Sequence, residues 1–227
     1  MTNDAAFIDT IIVPQGAEYQ AVCRGLRQAN ATNIQTIAIP IGTKNIGRIL
    51  NNYSLELDQA QNILIMGLCG SLSEKYSIGE RVIYKSCQNA KGKCINLESK
   101  LTATIHRRLS LNSVDGITSD RIICHTDEKR RLARSYSVDV VDMEGYDYIQ
   151  ELRSRNIEVA MVRVVSDGSI GDIPDLSRAI DRNGNLKTIP MAIAFLQQPV
   201  KAFRLIKGSI LGLKTLQKVT QQLFNIL

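Results

Sequence analysis

The sequence has few of the residues that build metal sites and disulfide frameworks. Among its 227 residues there are no tryptophans, two histidines (His106 and His125) and five cysteines. No two cysteines form a C-x-x-C pair, and neither histidine belongs to a metal-binding motif. These absences argue against a disulfide framework, a structural zinc cluster and a histidine-rich zinc centre. A Ser-His-Asp triad would have to use one of the two histidines, and we expect no metal at the functional site.

Long apolar runs are also missing. The N-terminal segment MTNDAAFID carries two acidic residues before any apolar run, which argues against a signal peptide. No stretch of about 18 consecutive apolar residues predicts a transmembrane helix. With 44% hydrophobic and 22% charged residues, the composition predicts a globular protein with a sizeable core. We expect it to be cytoplasmic, with reduced thiols.

Acidic residues are absent from the last part of the chain, residues 182–227. The formal net charge of +6 comes from this part, while the rest of the chain is close to neutral. A globally basic protein would suggest a nucleic-acid partner, but a neutral body with a basic end does not. Seven basic residues lie in the basic end: Arg182, Lys187, Lys201, Arg204, Lys207, Lys214 and Lys218.

Strand-like and helix-like segments alternate along the chain. Apolar runs rich in β-branched residues predict strands at Ile8–Pro14, Ile34–Ile41, Asn62–Leu68, Ile78–Cys87, Cys94–Leu97, Ile117–Cys124, Val138–Met143 and Val159–Val165. Helices are predicted at Ala17–Gln28, Asn45–Leu57, Leu101–Leu111, Asp127–Ser135 and Gly145–Arg155. This order predicts one α/β domain with a central mixed β-sheet flanked by helices, over residues 1–181. Residues 182–227 are predicted to form a basic helical extension.

Three of the predicted strands end in chemically reactive or ligand-accommodating residues. These ends are the glycine-rich segment Gly67–Ser71, the acidic segment Asp142–Glu144 and the pair Ser166–Asp167. In open α/β sheets, ligands bind at the carboxyl ends of the strands. The glycines Gly67 and Gly70 would let a ligand approach the backbone, although the segment lacks both the dinucleotide-binding and the P-loop patterns.

The carboxyl group of Asp167 is a candidate general acid. At the edge of an apolar sheet, desolvation would raise the pKa of Asp167 and keep it protonated, as a general acid at neutral pH requires. Ser166 could orient it by a hydrogen bond. The alternative is that Ser-Asp-Gly at 166–168 is only a turn or a helix N-cap.

Glu144 and Glu18 are the other two candidate carboxylates. Glu144 lies where a strand meets a helix, and it could accept hydrogen bonds from a vicinal diol such as that of a ribose, with Met143 packed on the sugar. Glu18 follows the first strand and is either a site carboxylate or a first-turn helix acid. For both residues, the alternative is an acid that the helix dipole favours.

Taken together, these segments resemble the superfamily of purine nucleoside phosphorylases and methylthioadenosine/S-adenosylhomocysteine nucleosidases. The main resemblance lies in V-V-D-M-E-G at 140–145 and R-V-V-S-D at 163–167. Other segments follow the order of the family's motifs. I-I-V-P-Q-G-A-E at 11–18 resembles the family's opening strand and acidic loop, and M-G-L-C-G-S-L at 66–72 resembles its glycine-rich turn. S-I-G-E-R-V-I at 77–83 and G-I-T-S-D-R-I-I at 116–123 resemble a central strand and the base-binding segment.

The resemblance implies a role for each candidate residue. Asp167, supported by Ser166, would protonate the purine at N7 as the ribosyl carbon becomes oxocarbenium-like. Glu144 and Met143 would hold the ribose, and Glu18 would activate water. Arg163 matches an arginine that lies near the water or anion in the family. Ile122 and Ile123 fall in the base-binding segment and would contact the purine.

Two departures from the family pattern favour hydrolysis over phosphorolysis. The phosphorylases have a glycine-aspartate-proline loop near the start and an arginine before the glycine turn, both for phosphate. Here the first loop is P-Q-G-A-E at 14–18 and the arginine position holds Ile65, so the charge-assisted bonds that phosphate needs are missing. Leu68 replaces a serine of the turn and also departs from the nucleosidases. A phosphorylase with phosphate as co-substrate and a non-catalytic nucleoside-binding module stay as alternatives.

The end of the chain resembles a narrower branch. A-I-D-R-N-G-N-L-K at 179–187 and F-L-Q-Q-P-V-K-A-F-R-L-I-K at 195–207 resemble the hopanoid-associated phosphorylase-like proteins. That resemblance implies an adenosylhopane nucleosidase, a lipid-linked substrate and no metal or organic cofactor. The family also implies a homo-oligomer.

The extension has the pattern of an interfacial amphipathic helix. One or two helices are predicted over Lys201–Leu227, with Gly208 and Gly212 weakening the middle. At about 100° per residue, the lysines at 207, 214 and 218 fall opposite an apolar face. This pattern predicts weak, salt-sensitive contact with an anionic membrane. The alternative is a terminal helix packed on the domain or on another subunit. The predicted apolar face consists of Ile206, Ile210, Leu213, Leu216, Leu223 and Leu227.

Overall fold

Eight strands form one mixed β-sheet in the computed structural model, which describes residues 8–42, 46–53, 57, 60–176, 179 and 187–225. The strands are β1 (Thr10–Pro14), β2 (Gln35–Ile39), β3 (Asn62–Ser71), β4 (Arg81–Asn89), β5 (Cys94–Asn96), β6 (Asn112–Thr118), β7 (Val140–Asp142) and β8 (Glu158–Asp167). The helices with bounds in the described residues are α1 (Ala17–Gln28), α2 (Ile46–Asn51), α3 (Lys100–Leu109), α4 (Thr126–Tyr136), α5 (Gly145–Ser154), α6 (Thr188–Gln197) and α7 (Pro199–Phe224). The predicted α/β class and mixed sheet are confirmed.

The sheet closes on itself around five of its strands. β8 pairs in parallel with β3 along nearly its whole length and antiparallel with β4. β4 and β6 are parallel, as are β6 and β7, and β7 pairs antiparallel with β3 to complete the circuit. β1 and β2 extend the sheet in parallel beyond β3. The parallel strands β1, β3 and β8 therefore bring their carboxyl ends to the same edge, where the candidate site lies.

Alternate residues of the central strands enter two different core clusters. On β8, Val159 and Met161 belong to one cluster, whereas Ala160 and Val162 belong to the other. This alternation follows from the two-residue period of a strand. Because both faces of the strand are covered, the run VAMV is apolar at every position, as is typical of buried parallel strands.

Several predicted boundaries differ from the structure. The second helix was predicted to end at Leu57, but α2 ends at Asn51. The segment Ile117–Cys124 was predicted as a strand, but β6 covers Asn112–Thr118 and the following residues, up to the start of α4, form no strand. Asn112 and Ser113 are exposed, so the start of β6 does not form an apolar run. β3 was predicted to end at Leu68 in a glycine turn, yet it continues to Ser71 because β7 and β8 pair with its last residues. Asn45, the predicted start of the second helix, lies outside the described residues.

The basic extension contains two helices, and the second packs on the domain. α7 begins with Pro199, a position where the missing N–H of proline costs no hydrogen bond, and it runs for 26 residues without a break. Its C-terminal half enters the core cluster that contains β1 and β3, so over this half the structure has the alternative that the sequence left open, a terminal helix packed on the domain. The buried residues there are Leu216, Val219, Leu223 and Phe224. Leu227 and the predicted domain boundary at 181/182 lie outside the described residues.

Gly208 and Gly212 are buried in the middle of α7 without interrupting it. A Cβ atom at Gly208 would lie 2.1 Å from the carbonyl oxygen of Ser166, and one at Gly212 would lie 3.1 Å from the Leu68 side chain. These glycines therefore allow the helix to pack directly against the carboxyl end of β8. None of the helices in the described part of the chain is long and apolar enough to span a bilayer.

Candidate active site

A cavity of about 410 Å³ opens at the carboxyl ends of β1, β3, β7 and β8. Its outer wall comes from residues 173–176 and from α6 and α7. Ten residues were predicted for the site, and two of them, Gly67 and Arg163, do not line the cavity. They lie behind its wall, where they contact residues that do line it. The other eight line the cavity: Glu18, Gly70, Ile122, Ile123, Met143, Glu144, Ser166 and Asp167.

Arg163 is the electrostatic centre of the site. Its side chain is completely buried within β8, and its Nη2 donates a hydrogen bond of 3.0 Å to Oε1 of Glu144. The same nitrogen lies 3.9 Å from Oδ2 of Asp142. Burial alone would lower the pKa of Arg163, but the negative charges of Glu144 and Asp142 outweigh it and raise the pKa above its usual range. The guanidinium group therefore stays charged.

Gly67 gives the Arg163 guanidinium the space that it occupies. The two residues lie side by side in the register between β3 and β8, and a Cβ atom at Gly67 would be 2.1 Å from Nη1 of Arg163. The same atom would lie 2.9 Å from Oε1 of Glu18. The glycine-rich segment is thus part of a strand, and at this position its missing side chain makes room for a cation and a carboxylate.

Glu18 lies beside this ion pair. Its Oε1 accepts a hydrogen bond of 2.5 Å from the backbone N–H of Leu68. Burial and, next, the charge of Glu144 raise the pKa of Glu18 to about 7, against the opposing effects of Arg163 and the Leu68 N–H. A carboxylate with such a pKa can accept a proton from water near neutral pH. Nε and Nη1 of Arg163 have no hydrogen-bond partner in the described part of the structure, so a bound water next to Glu18 would find donors there.

Glu144 is buried at the start of α5, where the dipole of the helix favours a negative charge. Burial raises the pKa of Glu144, and the nearby Arg163 opposes this change. Met143 lines the cavity next to it. A carboxylate held by an arginine beside a flexible apolar side chain suits a sugar diol, as the resemblance implies.

Asp142 is a lining residue to which sequence reasoning assigned no role. Its Oδ1 accepts hydrogen bonds from the Thr118 hydroxyl at 2.7 Å, from the Gly145 N–H at 2.9 Å and from the Glu144 N–H at 3.2 Å. These bonds fix the junction between β7 and α5, so Asp142 positions Glu144. The signal was present in the sequence, because Asp142 is the acid at the end of the predicted strand in V-V-D-M-E-G.

Asp167 is held by two donors. The Ser166 hydroxyl donates to its Oδ1 at 3.1 Å, as predicted, and Oδ2 forms an ion pair with Nζ of Lys129. A Cβ atom at Gly70 would lie 2.9 Å from Oδ2, so this glycine lets the carboxyl group lie against β3. The sequence predicted a desolvated carboxyl group at Asp167, and it did not reveal that Lys129, a buried cation, is in direct contact with it.

The base-binding segment is a loop. Ile122 and Ile123 line the cavity between β6 and α4, where a strand was predicted. Ile122 packs on a small apolar cluster that includes Leu176 and Phe195. An aliphatic and aromatic wall of this kind can contact the faces of a planar purine.

The cavity has little capacity to bind phosphate. Ile65, at the position where the phosphorylases carry arginine, is fully buried in the core. Among the described residues that line the cavity, Arg121 alone is basic, and its guanidinium group is paired with Glu128. Arg163 behind the wall is paired with Glu144. The arrangement offers a proton donor or acceptor at Asp167 and a second carboxylate at Glu18.

The comparisons with known proteins identify the family and the fold. Residues 15–188 match the model of a family described as the phosphorylase superfamily. No functionally curated protein shows significant sequence similarity to the chain.

Three solved structures share the fold at low sequence identity. The 5′-methylthioadenosine nucleosidase of Arabidopsis thaliana has a TM-score of 0.65 at 14% identity, over 95% of this chain and 93% of that one. The 5′-methylthioadenosine/S-adenosylhomocysteine nucleosidase of Helicobacter pylori, bound to butyl-thio-DADMe-Immucillin-A, has a TM-score of 0.62 at 14% identity, over 94% and 98%. The futalosine hydrolase of Helicobacter pylori has a TM-score of 0.63 at 14% identity, over 92% and 95%.

Proposed function

The chain belongs to the phosphorylase superfamily, and we propose that it hydrolyses the N-glycosidic bond of a purine nucleoside, with adenine as the base. One observation carries this proposal: Asp167, Glu144 and Glu18 face a single apolar cavity around a buried arginine. A non-catalytic nucleoside-binding module would not need three carboxylates at one site, two of them with raised pKa values.

The proposed reaction assigns a proton transfer to each of two carboxyl groups. Asp167 is paired with Lys129 as a carboxylate in the free protein and takes up a proton from solvent when the nucleoside binds. Its O–H bond then breaks as that proton passes to N7 of the purine. The bond between C1′ and N9 breaks, and its electron pair stays on the purine. Water then adds its hydroxyl group to C1′ and gives its proton to Glu18. Glu144 holds the ribose hydroxyls, and no metal or organic cofactor takes part in the proposed reaction.

Hydrolysis is favoured over phosphorolysis by the pairing of the cations. Arg121 and Arg163, the arginines at or behind the cavity wall, both have carboxylate partners. A phosphate dianion would have to share these arginines with their carboxylate partners and lie close to the negative charges of Glu18 and Glu144, whereas neutral water would not meet this repulsion. Phosphorolysis, with phosphate as co-substrate, is the second candidate because the family contains phosphorylases.

The test is to identify the sugar product. Purified protein is incubated with adenosine and a series of its 5′-substituted derivatives, with and without inorganic phosphate. We expect free adenine and a free ribosyl product at the same rate under both conditions, and a rate about 10²–10⁴-fold lower with Asp167→Asn. Formation of a ribose 1-phosphate would indicate phosphorolysis, and unchanged nucleoside across the whole series would leave only a binding function.

We also propose that the nucleoside carries a large apolar 5′ substituent, as the resemblance to the hopanoid-associated branch implies. The outer part of the cavity lining supports this proposal because it is aliphatic or aromatic over most of its area. A methylthio group or a polar amino acid would leave much of this surface in water. The apolar residues in question are Ile173, Leu176, Met191, Phe195, Leu205, Ile206, Ile210 and Leu213.

A lipid-linked substrate would require the protein to reach a membrane surface, and we propose that α6 and α7 provide the contact. Of the nine large hydrophobic residues that are exposed in the described part of the chain, eight lie on these two helices. At about 100° per residue, Val200, Phe203 and Leu211 share one face of α7 with the exposed lysines at 207, 214 and 218. The apolar face that the sequence predicted is turned toward the cavity at Ile206 and Ile210 and toward the core at Leu216, so the lysines do lie opposite it, beside three other apolar residues.

An outer surface with apolar and basic residues side by side suits an anionic bilayer. Lys201 and Arg204 are not free for this contact, since they bind the side chain and the carbonyl oxygen of Asp172. A peripheral position at the inner membrane surface of a cytoplasmic enzyme is therefore part of the proposal. A homo-oligomer stays a prediction from the family resemblance.

A further inference from the structure

Lys129 is in an energetically unusual position. It lies in the first turn of α4, where the helix dipole disfavours a positive charge, and only 1% of its side chain is exposed. A buried ion pair contributes little to stability compared with apolar residues of the same size, because both charges lose their hydration. Stability is thus a poor explanation for a buried lysine at this position, and its partner, Asp167, is the proposed general acid.

The contacts of Lys129 hold the Asp167 carboxyl group in one orientation. Nζ pairs with Oδ2 of Asp167 and donates a second hydrogen bond of 2.7 Å to the carbonyl oxygen of Gly168. Ser166 donates to the other carboxyl oxygen, Oδ1. Each carboxylate oxygen keeps a further lone pair, and the carboxyl group lines the cavity. The group is therefore fixed from two sides and open toward the substrate.

The first turn of α4 is itself fixed to the segment that follows β8. The carboxylate of Asp172 accepts hydrogen bonds of 3.0 Å from both the N–H and the hydroxyl group of Thr126. These bonds involve neither Lys129 nor Asp167. The position of Lys129 relative to the end of β8 is thus set independently of its own ion pair, as a preorganised electrostatic contact requires.

On the basis of the proposed function, we propose that Lys129 is the positioning residue of the general acid. It orients the Asp167 carboxyl group toward N7 and stabilises the carboxylate that remains when the proton has passed to the purine. In this step Lys129 keeps its three protons, the O–H bond of Asp167 breaks and the N–H bond at N7 forms. The positive charge is already in place when the negative charge develops on Asp167.

The inference is tested with two substrates that differ in their need for acid catalysis. Adenine leaves readily only when it is protonated, whereas 4-nitrophenolate leaves a riboside without protonation. We expect Lys129→Met to lower kcat on an adenine nucleoside by at least about tenfold, a part of the about 10²–10⁴-fold that a general acid supplies. KM on the nucleoside should change less than about twofold, and kcat on 4-nitrophenyl riboside should stay within the same margin.

Two further variants separate positioning from folding. In an Asp167→Asn background, Lys129→Met should cause no further loss of kcat, because the two residues act as one unit. Lys129→Gln keeps a hydrogen-bond donor but removes the charge. If Lys129→Met does not fold, the rates of Lys129→Gln on the adenine nucleoside and on 4-nitrophenyl riboside are compared instead. Lys85→Met, which breaks the ion pair with Asp115 away from the cavity, is the matched control and should leave both rates unchanged.

The outcomes distinguish this inference from the proposed function. Equal losses on both substrates, or an unchanged kcat on the nucleoside, would overturn the role of Lys129. If the wild-type protein cleaves the nucleoside and Asp167→Asn is slower by about 10²–10⁴-fold, the proposed function stands in either case. If the wild-type protein cleaves no purine nucleoside, both proposals are wrong.

Discussion

Gly208 of α7 packs directly on the carbonyl oxygen of Ser166, the residue before the proposed general acid. A Cβ atom at Gly208 would lie 2.1 Å from that oxygen, a separation that no packed structure tolerates. The extension is therefore in contact with the carboxyl end of β8. A shift of α7 would therefore also move Ser166 and the neighbouring Asp167.

Gly208→Ala is expected to destabilise the protein although alanine favours a helix by about 1 kcal/mol over glycine. The added methyl group must push α7 away from β8, and overpacking of this kind costs about 1–3 kcal/mol. We expect a Tm lower by several degrees and a reduced kcat on the nucleoside. Gly47→Ala in α2 is the matched control, since its Cβ would meet nothing closer than 3.7 Å. A Gly208→Ala variant as stable as Gly47→Ala would contradict the packing described.

Most of the fold could be predicted because the central strands are buried on both faces. Runs such as VAMVRVV in β8 are apolar at nearly every position, and turn residues mark their ends. β6 was placed too late in the chain because its first residues, Asn112 and Ser113, are exposed and polar. Its pairing with β4 over many residues, which the local pattern does not encode, makes this segment a strand.

The candidate site was predictable where its residues are close in sequence, and not where they are distant. Ser166 and Asp167 are neighbours, and their hydrogen bond could be inferred from V-V-S-D alone. Lys129 lies 38 positions before Asp167, in a helix rich in basic residues that gave no reason to single out one lysine. A buried cation is visible only once α4 is placed against the end of β8.

Glu144→Gln should weaken substrate binding and turnover together. The variant keeps a hydrogen-bond acceptor but removes the negative charge that pairs with Arg163 and would hold the ribose diol. We expect KM to rise and kcat to fall, each by about tenfold, in steady-state assays on an adenine nucleoside. Glu151→Gln removes a half-buried pair with Arg155 within α5 and its C-terminus, away from the cavity lining, and should leave both constants unchanged. An unaltered kcat/KM for Glu144→Gln would rule out the ribose contact.

The rate should rise with pH through the pKa of Glu18, about 7. Glu18 must be ionised to accept the proton of water, so kcat/KM is expected to have an ascending limb with its midpoint near that value. In Glu144→Gln this limb should move to lower pH, because the charge of Glu144 helps to raise the pKa of Glu18, while Arg163 still lowers it. A limb that persists unchanged in Glu18→Gln would assign it to another group.

The same pKa has a consequence for stability. Since the pKa of Glu18 is higher in the folded protein than its ordinary value of 4.5, the folded state binds this proton more tightly than the unfolded state. The resulting stability is present below pH 4.5 and is lost as the pH rises toward about 7. Glu18→Gln cannot ionise, so urea unfolding should show it gaining stability over the wild type between about pH 5 and pH 8. A constant difference across that range would contradict the raised pKa.

Membrane contact is expected to depend on the outer surface of α6 and α7. Deletion of the whole extension would be an unsuitable test, because its C-terminal half belongs to the core. Leu196→Ser combined with Phe203→Ser removes two side chains that are 82% and 69% exposed, so the fold should be unaffected. We expect the wild type to sediment with vesicles containing phosphatidylglycerol at low salt, and the double variant to remain in solution.

The lysines on the same face should contribute the salt-sensitive part of this binding. Each basic residue near an anionic surface is worth about 1 kcal/mol, so Lys207→Gln with Lys214→Gln should weaken binding to these vesicles by roughly thirtyfold. Lys91→Gln with Lys93→Gln, two exposed lysines between β4 and β5, removes the same charge far from α7 in sequence and should have a much smaller effect. If the wild type ignores the vesicles and the Leu196 and Phe203 substitutions instead reduce its mass in solution, the surface joins subunits and does not contact a membrane.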